Sequence, residues 1–268
     1  MLKKISIVLL SLLVLLALLA GIFLYSNDTI NVQLSKIPAD GIVESNYLIR
    51  TEADGKAVLN YSLVTTHGLK SNRVIISEGS AQGNDGVFVK WAGGITSIND
   101  DETVAVVEGS AFHNGSIEVE VNGSVSPKAS RLFKLFARGF IGVCFRISDD
   151  VRTFECIYLR PENGITDDNK RQMHAVQYIS KPDWDFSRLR EEAPEQYENP
   201  APIAPGKWHK MRIDVSGQSA KLFIDDGKNP VLEINDLKLG SDATGNIGLW
   251  VGPGTNGFFK NLKITKSD

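Results

Sequence analysis

Phe140-Ile141-Gly142-Val143-Cys144-Phe145-Arg146-Ile147 and Thr153-Phe154-Glu155-Cys156-Ile157-Tyr158-Leu159-Arg160 flank the turn Asp149-Asp150. Both stretches are rich in β-branched and aromatic residues and are separated by turn formers, the pattern of a β-hairpin. Val143, Phe145 and Ile147 alternate on the first arm, and Ile157 and Leu159 alternate on the second. A three-residue loop, 149–151, pairs Val143 with Ile157 and puts both apolar sets on one face. A two-residue loop sets Ile157 and Leu159 beside Arg146 instead, which is worse. In the favoured register the other face carries Cys144, Arg146, Phe154, Cys156, Tyr158 and Arg160. That face is either a platform for a ligand or a solvated sheet surface away from the core. Glu155 falls on the apolar face, where a carboxylate needs a partner or a local bulge. Cys144 stands opposite Cys156, so the pair is either a disulfide or two buried thiols.

Working outward, further short runs bounded by Gly, Asn and Asp read as strands: 56–64, 73–77, 86–91, 103–107 and 116–121. Ser116-Ile117-Glu118-Val119-Glu120-Val121 alternates strictly, so one of its faces is wet. Nearer the C-terminus the runs 208–215, 220–224, 246–251 and 258–265 continue the series, with His209 expected on an exposed position. Strands at such spacing imply an antiparallel two-sheet sandwich, and the 24 glycines suit a turn-rich all-β chain.

Lys3 and Lys4 precede an apolar run from residue 5 to residue 25. Twenty-one helical residues span about 31 Å, the thickness of a hydrocarbon core. The expectation is one N-terminal transmembrane helix, 1–25, with the lysines on the cytoplasmic side. A cleaved signal peptide is the alternative; it has a shorter apolar core and a small-x-small cleavage site. Residues 26–45 then form a tether and 46–268 the sandwich, outside the membrane, or secreted if the leader is removed. Without Lys3 and Lys4 the chain has 27 basic and 32 acidic side chains. That balance argues against nucleic acid as a partner and suits a neutral one such as a sugar.

From about residue 112 onward the chain resembles the concanavalin A-like lectin/glucanase superfamily. The nearest resemblance is to laminin-G-like jelly rolls grouped with bacterial putative glycoside hydrolases and 3-keto-disaccharide hydrolases. The resemblance is carried by Phe112-His113-Asn114-Gly115, the central hairpin, Arg160-Pro161-Glu162-Asn163-Gly164, Ala175-Val176-Gln177-Tyr178-Ile179, Gly206-Lys207-Trp208-His209 and Gly245-Asn246-Ile247-Gly248-Leu249-Trp250. It implies a jelly-roll sandwich whose concave face receives glycans, with Arg146, Glu155, Tyr158, Arg160, Asn163 and Gln177 on or beside that face. One fold hosts many chemistries, so activity has to be argued from the site.

Glycosidases need two carboxyl groups flanking one sugar bond. The superfamily's Glu-x-Asp-x-x-Glu run is absent. Glu118 and Glu120 share a face but read as a wet edge. Glu155 with Asp183 or Glu191 is the remaining catalytic pair. The four histidines show no metal-ligand spacing, and no cofactor is expected. Calcium, which takes oxygen ligands, has two candidate loops, Asn99-Asp100-Asp101-Glu102 and Thr166-Asp167-Asp168-Asn169. Trp184, in the loop Lys181-Pro182-Asp183-Trp184-Asp185-Phe186, is either a plug over the sheet edge or a stacking wall. The expected function is extracytoplasmic binding of a poly- or oligosaccharide. A glycoside hydrolase and a structural adhesion domain of the same fold are the alternatives.

Overall fold

The computed structural model describes residues 42–45, 48–92, 102–129 and 131–267. The leading apolar run, most of the tether and Asn99-Asp100-Asp101 lie outside the described residues. Among the described residues no helix is long and apolar enough to cross a membrane.

Among the described residues seventeen strands make two antiparallel sheets, as the sequence implies. The ten-stranded sheet runs β1 (Ile42–Ser45), β2 (Leu48–Ala53), β3 (Lys56–Tyr61), β17 (Thr255–Lys266), β8 (Gly115–Val125), β13 (His209–Ser216), β14 (Ser219–Ile224) and β15 (Leu232–Ile234). β6 (Asn84–Trp91) joins the first half of β17, and β5 (Val74–Ala81) joins β6. Among the described residues the first strand of this sheet starts at Ile42, inside the stretch read as tether. The seven-stranded sheet runs β12 (Glu198–Asn199), β11 (Val176–Lys181), β10 (Phe154–Leu159), β9 (Ile141–Ile147), β16 (Gly245–Val251), β7 (Val104–Phe112) and β4 (Leu69–Asn72).

Alternation decides the outer face of the ten-stranded sheet. Ile117, Val119, Val121, Met211 and Ile213 are buried. Between them, Glu118 pairs with Lys210 and Lys263, and Glu120 with Lys260. This is the wet face expected for β8, and its carboxylates are spent on cross-strand ion pairs.

The inner face of the seven-stranded sheet can be assigned by contact. A Cβ on Gly123 or on Gly257 would lie 2.6 Å from Ile141 and from Val251 respectively. Ile141 and Val251 therefore point at the ten-stranded sheet. So do Val143, Ile157 and Leu159, which share their face by register. Cys144, Cys156 and Tyr158 lie on the outer side.

The hairpin register is as expected: Val143 pairs with Ile157, and Cys144 with Cys156, both cysteines buried. The loop is not. The Ser148 N–H donates to Thr153 O at 2.9 Å, so four residues, 149–152, close the turn. The extra residue is absorbed by a β-bulge. Ile147 pairs with Asn246 and Cys144 with Gly248, leaving Phe145 and Arg146 opposite Ile247. Arg146 takes a left-handed φ of 55° and no longer shares the outer face with Cys144. Of the two readings of the outer face, the solvated surface fails, because every residue of β9 and β10 is buried.

Candidate functional site

Tyr158, Arg160, Asn163 and Gln177 come together where β10 ends. Tyr158 and Gln177 are directly opposite each other on β10 and β11. Arg160 follows β10 and precedes the single turn α2 (Pro161–Gly164). Its guanidinium donates from Nη2 to the Tyr158 hydroxyl at 2.8 Å and from Nη1 to Gln177 Oε1 at 3.1 Å. Nη1 also reaches His174 O, which accepts from Asn163 Nδ2 as well. These four side chains are all buried, Arg160 at 5% exposure. The expectation that they sit off the core is thus corrected: they form a polar floor.

Aromatic rings surround this floor. The Arg160 guanidinium lies 5.0 Å from the Tyr158 ring centroid, 5.6 Å from that of Phe186 and 6.0 Å from that of Phe140. Phe140 and Phe186 are only partly buried and form the rim. Phe186 opens helix α4 (Phe186–Glu192), which Asp185 caps by accepting from the Arg188 N–H.

Glu198, on the two-residue β12, is the floor's carboxylate. It accepts from Arg190 in a two-pronged pair at 2.8 and 2.6 Å, and Arg160 lies 3.6 Å away. His174 Nδ1 is 2.7 Å from it. Burial holds the His174 imidazole below its ordinary pKa, with Glu198 pulling the other way and Arg190 and Arg160 adding to the depression.

Tyr158 is positioned by a gap in the sheet. Gly142 lies between Tyr158 and Trp250 in the strand order, and the two rings close over it with centroids 4.7 Å apart. A Cβ on Gly142 would meet Ile157 O and Tyr158 Cβ at 2.4 Å. Gly142→Ala is expected to cost about 1–3 kcal/mol through overpacking, read as a lower urea midpoint. An unchanged midpoint would mean the β10 backbone shifts to admit the methyl without cost.

The other expected site residues go elsewhere. Arg146, 1% exposed, turns through its bulge to the end of the sandwich. There it donates to His113 O, Gly217 O, Gly240 O and Asn114 Oδ1. Glu155, with no exposure, faces the interior. It accepts from the Tyr178 hydroxyl and from the Leu239 N–H. Burial raises its carboxyl above the usual range, opposed by those hydrogen bonds and by the charge of Arg146. Asp183 is exposed, and its carbonyl accepts from Arg188. A carboxyl closed inside the core and one on the surface do not flank an accessible bond, so the Glu155–Asp183 pair is not assembled. Glu191 is exposed as well.

Trp184 pairs with Ser180 on β11 and lies between two cations, 3.9 Å from Arg188 and 4.5 Å from Lys238. It is partly buried and packs against the core. His209 is buried, not exposed. Its Nε2 accepts from the Ala204 N–H, and its Nδ1 is 2.8 Å from Asp225. In the second calcium loop Asp168 accepts from the Lys170 and Arg171 N–H groups as N-cap of α3 (Asn169–Gln172). Among the described residues no group of three or more His, Cys, Asp or Glu side chains is placed to hold a metal.

Sequence reasoning missed Phe140, Phe186, His174, Glu198 and Trp250. Trp250 was findable, since it alternates with Gly248 on a strand already identified. Glu198 was not. It reaches the site through a two-residue strand with no local pattern of its own.

No family model matches the sequence, and no curated protein matches it in sequence. Among solved structures, the chain is similar to the carbohydrate binding module CBM66 from Bacillus subtilis. The identity is 13% and the TM-score 0.46, over 73% of this chain and 97% of that one. It is also similar to a protein of unknown function with a galectin-like fold from Bacillus subtilis. There the identity is 10% and the TM-score 0.43, over 75% of this chain and all of the other. A third is domain 4 of AbnA, a GH43 extracellular arabinanase from Geobacillus stearothermophilus, in complex with arabinotriose. It has 12% identity and a TM-score of 0.40, over 74% of this chain and 81% of that one.

Proposed function

We propose that the outer face of the seven-stranded sheet binds a saccharide around Arg160. The observation that carries this reading is the partly exposed ring pair Phe140 and Phe186 over a guanidinium and amide floor. Aromatic faces stack on the C–H surfaces of pyranose rings. Guanidinium and amide groups supply directed hydrogen bonds to hydroxyls. The domain works outside a membrane and is held there by residues 1–25, a setting supported by Lys3, Lys4 and the apolar run after them.

Glycan-array screening of the full chain should return at least one saccharide. Phe186→Ala and Phe140→Ala should each weaken that ligand about tenfold, the ~1.4 kcal/mol of one lost stacking contact. Thermal unfolding should confirm that both variants remain folded. If folded variants bind as the parent does, the surface lies elsewhere.

A further inference from the structure

Beside the aromatic rim, three arginines come from three different segments. Arg138 follows helix α1 (Arg131–Phe136), and its carbonyl accepts from the Glu162 N–H at 3.2 Å, which fixes it against α2. Arg171, on α3, donates through Nε and Nη2 to Asn163 Oδ1 at 3.4 and 3.2 Å. Asn163 in turn shares the His174 carbonyl with Arg160. One amide therefore links two guanidinium groups; the third, on Arg138, donates through Nη1 to Leu135 O at 2.9 Å and to Ala137 O at 2.8 Å. Burial first, then the charges of Arg171 and Arg160, hold Arg138 below its usual value, with Glu162 opposing.

The local charge does not balance. Arg138, Arg160, Arg171 and Arg190 meet two acidic side chains, Glu162 and Glu198, and Glu198 is already bidentate with Arg190. His174 contributes no negative charge, and Asp168, which caps α3, is exposed with the exposed Lys170 two residues on, so those two charges offset each other outside the patch. The whole chain has a formal charge of −3, so this cationic patch runs against the composition. Gathering like charges in a half-buried place costs free energy unless an anion joins them. Guanidinium forks match the paired oxygens of carboxylates and sulfate esters.

We propose, resting on the saccharide-binding reading above, that the bound saccharide is acidic and seats its anionic group among Arg138, Arg160 and Arg171. Neutral stretches of the same chain lie on Phe140 and Phe186. The shared chemistry is a tetrahedral or planar oxyanion on a sugar ring, either a uronate carboxylate or a sulfate ester.

The test is titration of the full chain with three probes: an oligogalacturonate, a sulfated galacto-oligosaccharide and the unmodified galacto-oligosaccharide. At least one acidic probe should bind about tenfold or more tighter than the neutral one, as expected for charge-assisted pairing. That preference should shrink as salt is added. Arg138→Gln with Arg171→Gln should abolish the preference and leave neutral-probe binding unchanged. Arg171→Lys, which keeps the charge but not the fork, should lose most of it, and melting curves establish that the variants are folded. The acidic probe that loses affinity identifies the anion. Equal binding of neutral and acidic probes, with Phe186→Ala still weakening both, overturns the acidic preference and leaves the saccharide reading standing. Retained acidic preference in the double variant also overturns the proposal. Absence of binding to these probes and to every glycan on the array overturns both readings.

Discussion

Arg146→Ala is expected to lower the unfolding free energy by about 3–5 kcal/mol, the range for breaking a buried charged network. The side chain ties three separate segments together at one end of the sandwich. His113 and Asn114 belong to the β7–β8 turn, Gly217 to the β13–β14 turn, and Gly240 to the segment before β16. Asn114 Oδ1 also accepts from the Gly217 N–H at 2.8 Å, so the first two turns hold each other as well. Alanine would leave three carbonyls without their charged donor in a place water reaches poorly. Arg146→Lys should recover only part of the loss, because one ammonium cannot span acceptors on three segments. Urea unfolding followed by tryptophan fluorescence measures both variants. A loss under about 1 kcal/mol for alanine would mean that water replaces the guanidinium without penalty, and the network would then not hold the sandwich end.

Glu155 should show the second large effect, and one that depends on pH. Glu155→Ala removes the acceptor of both the Tyr178 hydroxyl and the Leu239 N–H. The expected cost is about 2–4 kcal/mol at mildly acidic pH, from two orphaned donors and a cavity. Glu155→Gln should cost about 1 kcal/mol or less there. Its amide oxygen can accept from Leu239, and its amide nitrogen can donate to the Tyr178 oxygen, as a protonated carboxyl would. Burial raises the folded-state pKa of Glu155 above its unfolded value. The stability that the protonated carboxyl contributes is therefore fully present below the ordinary carboxylate range. It is lost as pH rises through the raised value. Stability curves of the parent and Glu155→Gln should accordingly diverge toward neutral pH, with the parent falling relative to the variant. Parallel curves, or a parent that gains on the variant as pH rises, would show that Glu155 is charged throughout and stabilised by Arg146.

The two faces of the hairpin explain where reading the chain succeeded. Val143, Ile157 and Leu159 alternate, and alternation fixes register because a one-residue slip would move all of them to the other face. Cys144 opposite Cys156 followed from the same parity. The alternating acids of β8 gave its wet face for the same reason. Strand parity put Tyr158 and Arg160 on one side, and the structure brings Asn163 and Gln177 beside them while Arg146, Glu155 and Trp184 go elsewhere. Parity could not see the bulge, whose signal is spread over β9 and β16. A loop one residue longer and a strand one residue richer leave the outer register unchanged, so the apolar pattern is satisfied either way.

By itself, the sequence determined the antiparallel sandwich, the hairpin pairing and the wet face of β8, because these depend on alternation within and between neighbouring strands. Tertiary structure decided which buried arginine ties the sandwich end together and which lies in the floor beneath the aromatic rim. Arg146 and Arg160 are both arginines on one hairpin. One is turned inward by a bulge onto carbonyls from distant turns, and the other is held among rings from segments before β9 and after β11. Burial of a polar side chain depends on partners far away in the chain, and no local period encodes where those partners will be.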